Sequence, residues 1–184
     1  MNVGPGLRER KKQQTRQLLE RMQAFEDDLL HAIRERPAGE PVLAAFGRFV
    51  LQPRGFLAAG AAGAAEELAS VSRMIANSPA LRAREAQILA RYTDTLAGVI
   101  ADETGTGPDD PRPWVTANAL IGVHRALIAY LRQRILAGHD SLPDLALDVR
   151  SHGETALALL AHGLRGYAPQ RLDTGPGDGL ASQP

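Results

Sequence analysis

The chain contains no cysteine, and aromatic residues make up only 4% of its 184 residues. Without cysteine there is no disulfide framework, no zinc ribbon and no thiolate nucleophile, so the composition gives no argument for secretion. The longest nearly uniform apolar stretch, Phe56 to Ala65, is about half of the roughly 20 residues that a membrane span requires. The polar stretch Met1 to Arg21 does not resemble a signal peptide. We therefore expect a soluble, cytoplasmic protein with no membrane partner.

The signatures of common enzyme classes are also missing. The sequence shows no glycine-rich phosphate loop, no nucleophile elbow and no zinc-binding His-Glu helix motif. The stretch Ser151 to Glu154 groups polar residues side by side in a predicted helix, where neighbours point in different directions. The adjacent carboxylates are most simply solvated faces or loop ends: Asp27-Asp28, Glu66-Glu67 and Asp109-Asp110. We predict no catalytic role, no metal site and no cofactor.

Charge is balanced overall, with 21 Lys plus Arg against 21 Asp plus Glu, but it is unevenly spread. Met1 to Arg21 holds six basic and two acidic residues, and both lysines of the chain lie there. Such an arm makes weak, sequence-independent and salt-dependent contacts with phosphates. The alternative is a solvated helix end with no nucleic-acid role. The candidate phosphate contacts are Arg8, Lys11, Lys12 and Arg16.

Apolar residues recur at spacings of three and four between regular breakers, which predicts an all-α chain of six helices. Ser78 as N-cap and Pro79 at the first helical position mark the start of the fourth helix. The Gly- and Pro-rich stretch from Pro169 to Pro184 predicts a disordered tail. The expected helices are Leu7 to Arg36, Pro41 to Leu51, Gly55 to Ala76, Pro79 to about Glu103, and two long helices beginning near Trp114 and Leu142.

The last two helices carry the most regular apolar stripes and are joined by a short loop at Gly138, so we expect a long antiparallel hairpin. Each apolar stripe is wider than the contact between the two helices of the hairpin requires. A surplus apolar face favours a partner surface, and two hairpins packed across a two-fold axis form a four-helix bundle. The alternative is that both stripes are buried inside one chain. The predicted dimer interface comprises Leu120, Leu127, Leu131, Ala156, Leu160 and Leu164.

Two histidines lie at matching heights of this predicted hairpin. A turn near Gly138 places His124 level with His152. If the two rings approach each other, their protonation below about pH 6 loosens the hairpin, because two imidazolium groups repel. The alternative is two separate histidines that each bond locally.

Two segments of the chain resemble one known family. Gly6-Leu7-Arg8-Glu9-Arg10-Lys11-Lys12-Gln13-Gln14-Thr15-Arg16 resembles the N-terminal arm and first-helix start of actinobacterial TetR-type (TetR/AcrR) transcriptional regulators. The stretch from Arg21-Met22-Gln23-Ala24-Phe25 to Gly166-Tyr167 resembles the effector-binding and dimerisation domain of that family. The resemblance implies an arm and first-helix remnant at 1–21, a TetR-like C-terminal domain at 22–168 that ends in the hairpin, and the tail at 169–184.

The DNA-reading head that the family places between these segments is missing. In the family the first helix continues into a short helix, a turn and a recognition helix, whereas here Leu18 to Glu20 runs directly into Arg21. The nearest imitation, Ala119 to His124, lies within an unbroken amphipathic stripe. Sequence readout requires a helix in the major groove. We therefore expect only weak, non-specific DNA contacts through the basic arm.

The resemblance also implies a pocket in which a small apolar effector meets a few orienting polar groups. Packing in the core is the alternative for Phe46, Phe49 and Met74, whereas Tyr92 and Trp114 each have a polar atom that needs a partner when buried. Asn118 either orients a ligand or caps a neighbour. The candidate pocket residues are Phe46, Phe49, Met74, Tyr92, Trp114, Asn118 and His124.

Two functions follow from these expectations. The first is a TetR-type regulator, usually a repressor released by ligand, whose helical domain senses a small apolar molecule and forms a homodimer, and whose head is absent from this chain. The alternative is a headless helical interaction protein that dimerises with itself or with an intact paralogue and does not bind DNA specifically.

Overall fold

The computed structural model describes residues 5–53, 57–58, 63–138 and 141–163, without the side chains of 5–8, 10–12 and 14. Within this part of the chain every element of regular structure is an α-helix, so the all-α prediction with six helices is confirmed. The predicted tail at 169–184 lies outside the described residues. The helices are α1 (Pro5–Arg34), α2 (Val42–Val50), α3 (Ala64–Ala76), α4 (Pro79–Thr104), α5 (Arg112–Ala137) and α6 (Leu142–Gly163).

Local sequence signals set most of the helix ends. The hydroxyl of Ser78 accepts a hydrogen bond from the backbone N–H of Leu81 at 3.3 Å, as the predicted N-cap requires. Gly105 and Gly138, with φ of 61° and 72°, end α4 and α5 in the left-handed conformation that glycine adopts without strain. Ser141 accepts a hydrogen bond from the N–H of Asp144 at 3.3 Å and opens α6 in the same way as Ser78 opens α4.

The third helix is shorter than predicted. We expected it to begin at Gly55, but α3 begins at Ala64. Gly63 has φ of 88°, a left-handed conformation that interrupts a right-handed helix. Alanine-rich composition therefore overstated the helix, and its start is fixed by one glycine.

The main hydrophobic core lies where α1, α2, α4 and α5 meet. Five of its large side chains are completely buried: Ile33, Phe46, Leu96, Ile100 and Leu120. Full burial of such a side chain contributes about 1.5–3 kcal/mol. A smaller cluster of Leu68, Ile135 and Leu145 joins α3 to the α5–α6 end of the molecule. The domain thus has one large core and one satellite, and a space remains between them.

Close approach of α6 to its neighbours depends on glycine. A Cβ atom at Gly153 would lie 2.2 Å from Cδ2 of Leu51 and 3.1 Å from Cδ1 of Leu127, and one at Gly47 would lie 2.8 Å from Cδ1 of Leu157. Both glycines are buried in helices. They therefore permit α6 to lie against α2 and α5 at a distance that an alanine would increase.

Helix α1 is continuous across the expected junction between arm and domain. Leu18 to Arg21 lies in the middle of its 30 residues, with no turn or cap at that point. Helix α5 is equally continuous through Gly122, so the stretch Ala119 to His124 contains no turn. Neither position therefore holds a helix-turn-helix unit in the described part of the chain.

Among the residues that the structure describes, no helix combines the length and the hydropathy that crossing a bilayer requires.

Candidate ligand-binding cavity

A cavity of about 1020 Å³ lies between the main core and the satellite cluster. All six helices contribute to its wall, and most of the contributed side chains are apolar. A wall of this kind removes apolar surface from water when a ligand enters. One representative from each helix, in chain order, is Phe25, Val50, Leu68, Leu89, Leu127 and Val149.

Two hydroxyl groups on the cavity wall already have partners. The hydroxyl of Tyr92 on α4 donates to the backbone carbonyl of Met22 on α1. Ser72 on α3 donates to the carbonyl of Leu68 one turn earlier, at 2.7 Å. Burial raises the pKa of Tyr92, which keeps its phenol protonated as a donor. The hydroxyl protons of both side chains are therefore engaged with the backbone, whereas their oxygens can still accept a hydrogen bond.

An ion pair between α4 and α5 forms another part of the wall. Arg132 donates to both oxygens of Glu85, with N–O distances of 2.9 and 2.5 Å. The side chains are 27% and 15% exposed. A paired arginine and carboxylate of this geometry satisfy each other. At this part of the wall the two opposite charges therefore neutralise each other.

His124 on α5 stacks against Phe25 on α1, with ring centroids 4.7 Å apart and planes at 11°. Phe25 in turn meets the edge of Phe49 at 5.2 Å. Burial is the main cause that lowers the pKa of His124 to about 4; Glu85 opposes the shift and Arg132 adds to it. The imidazole at the cavity wall is therefore neutral at physiological pH.

The structure separates the predicted pocket residues into two groups. Tyr92 and His124 line the cavity, and the other five candidates lie elsewhere. Phe46 and Phe49 are buried in the main core at 0% and 4% exposure. The remaining three, Met74, Trp114 and Asn118, are absent from the wall for separate reasons.

Each of these three side chains has a local environment that explains its position. The sulfur of Met74 faces the hydroxyl of Thr15 on α1 at 3.8 Å. Trp114 is 55% exposed in the first turn of α5. The amide of Asn118 donates to the carbonyl of Trp114 at 2.9 Å, a bond within one helical turn.

Most side chains on the wall were not among the predicted pocket residues, and Phe25, Glu85 and Arg132 are three of them. Phe25 belongs to the apolar stripe of α1, and the sequence gave no reason to separate it from ordinary core residues. Glu85 and Arg132 are charged residues 47 positions apart, so no local pattern connects them. Only the packing of α4 against α5 shows that they form a pair.

Two of the predicted dimer residues, Leu120 and Leu127, require correction, because they are buried inside one chain. Leu120 is 0% exposed and Leu127 is 7% exposed. Leu131 is half-buried at the cavity wall, and Ala156 and Leu160 pack against the main core. Leu164 lies outside the described residues. The extra width of both stripes therefore faces the interior, because α4 and α2 cover it.

The exposed apolar side chains nevertheless concentrate on the same two helices. Every large hydrophobic side chain that is exposed in the described part of the chain lies on α5 or α6. These residues are Trp114, Val115, Leu136, Leu147 and Leu159.

The predicted approach of His124 to His152 is wrong. The ring of His152 meets the edge of Tyr130 at 4.7 Å, whereas His124 stacks on Phe25. On the hairpin His152 lies at the height of Tyr130 and not of His124, and Tyr130 also reaches Asp148 on α6 at 3.4 Å. Each histidine ring therefore packs against its own aromatic neighbour.

The candidate phosphate contacts lie on α1. Arg16 forms an exposed ion pair with Glu20 one turn later, at 2.8 Å. Exposed pairs of this kind are weak and leave the cation accessible to another anion. The side chains of Arg8, Lys11 and Lys12 lie outside the described residues.

The domain is all-helical, has a large apolar cavity and ends in a pair of long antiparallel helices. This is the architecture of a TetR-type regulatory domain. The family model described as the MftR C-terminal domain, one of the TetR C-terminal domains, matches residues 42–165 of the chain. The chain belongs to this family. The matched region covers α2 to α6 and begins after α1. Among curated proteins and solved structures, none matches the chain.

Family membership gives the general function. TetR-family domains of this kind serve transcription regulation, and they typically dimerise and bind small ligands. Membership points to regulation and away from catalysis. Among the described residues, no three potential ligands come together as a metal site.

Proposed function

We propose that this chain is the sensing and dimerisation part of a TetR-type repressor. It binds a small, largely apolar molecule in the cavity that all six helices line. The observation that carries the proposal is the cavity of about 1020 Å³ with apolar walls from all six helices. Ligand pockets commonly measure about 300–1,000 Å³. The space is therefore sufficient for a small molecule, with Tyr92 and His124 as polar contacts.

A cavity-filling variant tests the sensing role. Val71 is a half-buried wall residue on α3, and Val71→Trp reduces the space for a ligand. Butylbenzene is a suitable apolar probe, with binding measured by calorimetry on the full chain. We expect binding to the original chain and a loss of at least tenfold in the variant. Ala90→Trp on the exposed side of α4 is the matched control, and equal binding by both variants contradicts the proposal.

We further propose a homodimer through the outer face of α5, which replaces the residues first predicted. Val115, Gly122, Ala126, Ala129 and Leu136 recur at spacings of three, four and seven and are all exposed. Side chains at these spacings share one helix face. Small residues in the middle of the face permit two helices to approach closely, and the larger Val115 and Leu136 lie at its ends. Leu147 and Leu159 extend the apolar surface onto α6.

The dimer is tested by placing a charge at the centre of this face. Ala126→Arg adds a large cation to an exposed position, so the fold of the single chain is retained. We expect light scattering to show a dimer for the original chain and a monomer for this variant. Ala90→Arg on the exposed side of α4 is the matched control and leaves the dimer intact. A monomeric original chain contradicts the proposal.

For DNA, we propose weak and non-specific binding through the basic end of α1, because no reading head is present between Leu18 and Arg21. Helix α1 supports this, since it is continuous across that point. Binding to two unrelated duplexes is expected to be equal and to fall steeply between about 50 and 200 mM salt. A preference for one duplex that persists at high salt contradicts it.

The second candidate, a headless interaction protein that pairs with an intact paralogue, is favoured by the same continuity of α1. The intact mass of the native product distinguishes it from a regulator with a complete head. A mass of 19.7 kDa supports the headless protein, and a product heavier by the size of a DNA-binding head supports the complete regulator.

A further inference from the structure

One uncharged polar side chain of the cavity wall, His124, has no hydrogen bond within the described part of the chain. The hydroxyls of Tyr92 and Ser72 donate to backbone carbonyls, and Glu85 and Arg132 pair with each other. His124 has a ring partner in Phe25, but within the described part of the chain its ring nitrogens meet no hydrogen-bonding group. An unsatisfied polar group in a largely buried place is unfavourable until something bonds to it.

The ring offers a definite kind of bond. A neutral imidazole has one N–H donor and one nitrogen acceptor. Phe25 covers one face of the ring, and the ring belongs to the cavity wall. A molecule in the cavity therefore reaches His124 with a hydroxyl or carbonyl oxygen.

The charges around the cavity disfavour an ionic ligand. Two arginines, Arg21 and Arg132, and three carboxylates, Asp28, Glu67 and Glu85, belong to the wall, a net of one negative charge. Arg132 is bound by both oxygens of Glu85, and Arg21 lies 3.7 Å from Glu67. An anion therefore has to displace a carboxylate from its arginine. A cation has to displace an arginine at Glu67 or Glu85, although not at the exposed carboxylate of Asp28. A neutral molecule does neither.

We propose that the effector is an uncharged molecule with an apolar body and a hydroxyl or carbonyl group, and that this group is bound by His124. The inference rests on the proposed function, since it concerns the same cavity. It adds the charge state of the ligand, the polar group that the ligand carries and the residue that recognises it.

Four probes with one butylphenyl body separate the possibilities at pH 7.5: butylbenzene, 4-butylphenol, 4-butylbenzoate and 4-butylbenzylammonium. Calorimetry on the full chain gives the dissociation constant of each. We expect 4-butylphenol to bind about tenfold more tightly than butylbenzene, the effect of one added hydrogen bond. We expect both charged probes to bind more weakly than butylbenzene.

Variants at two histidines assign the bond. His124→Leu keeps the size of the side chain and removes its hydrogen-bonding atoms, so it is expected to weaken 4-butylphenol about tenfold and leave butylbenzene unchanged. His124→Asn retains a donor and an acceptor and is expected to recover part of the loss. His152→Leu, exposed on α6, is the matched control and changes neither probe. Circular dichroism confirms that each variant is folded.

Three results overturn the inference. Equal weakening of 4-butylphenol and butylbenzene by His124→Leu shows that the ring only packs against the ligand. Tightest binding of 4-butylbenzoate, lost in Arg132→Gln, shows an anionic effector, and tightest binding of the ammonium probe shows a cationic one. In these cases the cavity still binds ligands and the proposed function stands. If no probe binds, including butylbenzene, the proposed function fails together with the inference.

Discussion

The same chemical pair occurs near both ends of α4 and has a different environment at each. Near its C-terminal end, Glu103 holds Arg36 with distances of 2.7 and 2.5 Å. Near its N-terminal end, Glu85 holds Arg132 at 2.9 and 2.5 Å. The Arg36 side chain is 0% exposed and also donates to the backbone carbonyls of Ile33 and Glu40. Arg132 is 27% exposed and faces the cavity.

The difference shows that one pair stabilises the fold and the other borders the proposed ligand site. The side chain of Arg36 is completely enclosed by the chain, and its ion pair with Glu103 holds the end of α1 against α4. Around Arg132 the chain leaves an open space, and the pair forms part of a wall. The domain is therefore packed at one end of α4 and hollow at the other. Matched substitutions at the two ends measure how far this division holds.

The largest effect is expected at the buried pair. Arg36→Met leaves the carboxylate of Glu103 without its partner and is expected to lower the free energy of unfolding by about 3–5 kcal/mol. Arg132→Met, in a partly hydrated place, is expected to lower it by about 1–2 kcal/mol. Urea unfolding measures both. Arg150→Met, which removes an exposed pair with Glu154, is the control and is expected to be nearly neutral. Equal losses at Arg36 and Arg132 remove the distinction between the two ends.

Two leucines on α4 test the same comparison with apolar side chains. Leu96 is 0% exposed in the main core, and Leu89, two turns earlier, is 9% exposed and lines the cavity. Leu96→Ala is expected to lower stability by about 3 kcal/mol because it opens a new void. Leu89→Ala is expected to lower it by about 1 kcal/mol, since that side chain already faces empty space. Thermal unfolding distinguishes the two, and a larger loss at Leu89 contradicts a hollow end.

A pH-dependent effect is expected from His124. Its pKa is lowered from 6.5 to about 4 in the folded chain, so the unfolded chain binds a proton in this interval and the folded chain does not. Above pH 6.5 this group does not reduce the free energy of unfolding. As the pH decreases towards 4 the free energy of unfolding falls, by about 2 kcal/mol at pH 5. Glu85 and Arg132 are the charges that act on the ring.

Paired variants isolate that contribution from the titration of carboxylates. His124→Asn is expected to lose less stability than the original chain between pH 7.5 and pH 5, whereas the exposed His152→Asn follows the original chain. The measurement is the midpoint of thermal unfolding at each pH. Parallel curves for all three proteins contradict the assigned shift.

Most of the fold was predictable from sequence because its signals are local. Apolar spacing, the Ser78-Pro79 start and the terminal glycines of α4 and α5 each act within a few residues. The start of α3 was missed because alanine favours a helix on either side of Gly63, and only its φ of 88° shows where the helix begins. The hairpin followed from the two stripes and the short connection between them.

The cavity was less predictable, because it depends on where the side chains of different helices leave a space between them. Tyr92 and His124 were identified as polar residues on apolar faces, and they do line the space. Phe46 and Phe49 share the same pattern, yet the chain packs around them. The outer face of α5 was not predicted, because the apolar pattern of that helix is defined by large side chains. Gly122, Ala126 and Ala129 are small.

The single tryptophan of the chain provides an internal optical reporter. Trp114 is 55% exposed beside Val115, at one end of the outer face of α5, and it lies outside the cavity wall. Its fluorescence in a lone chain is therefore that of an indole in contact with water. Assembly through α5 shifts the emission to shorter wavelength as the concentration rises, whereas occupation of the cavity leaves it unchanged. Ordinary fluorescence thus follows association separately from ligand binding without any label.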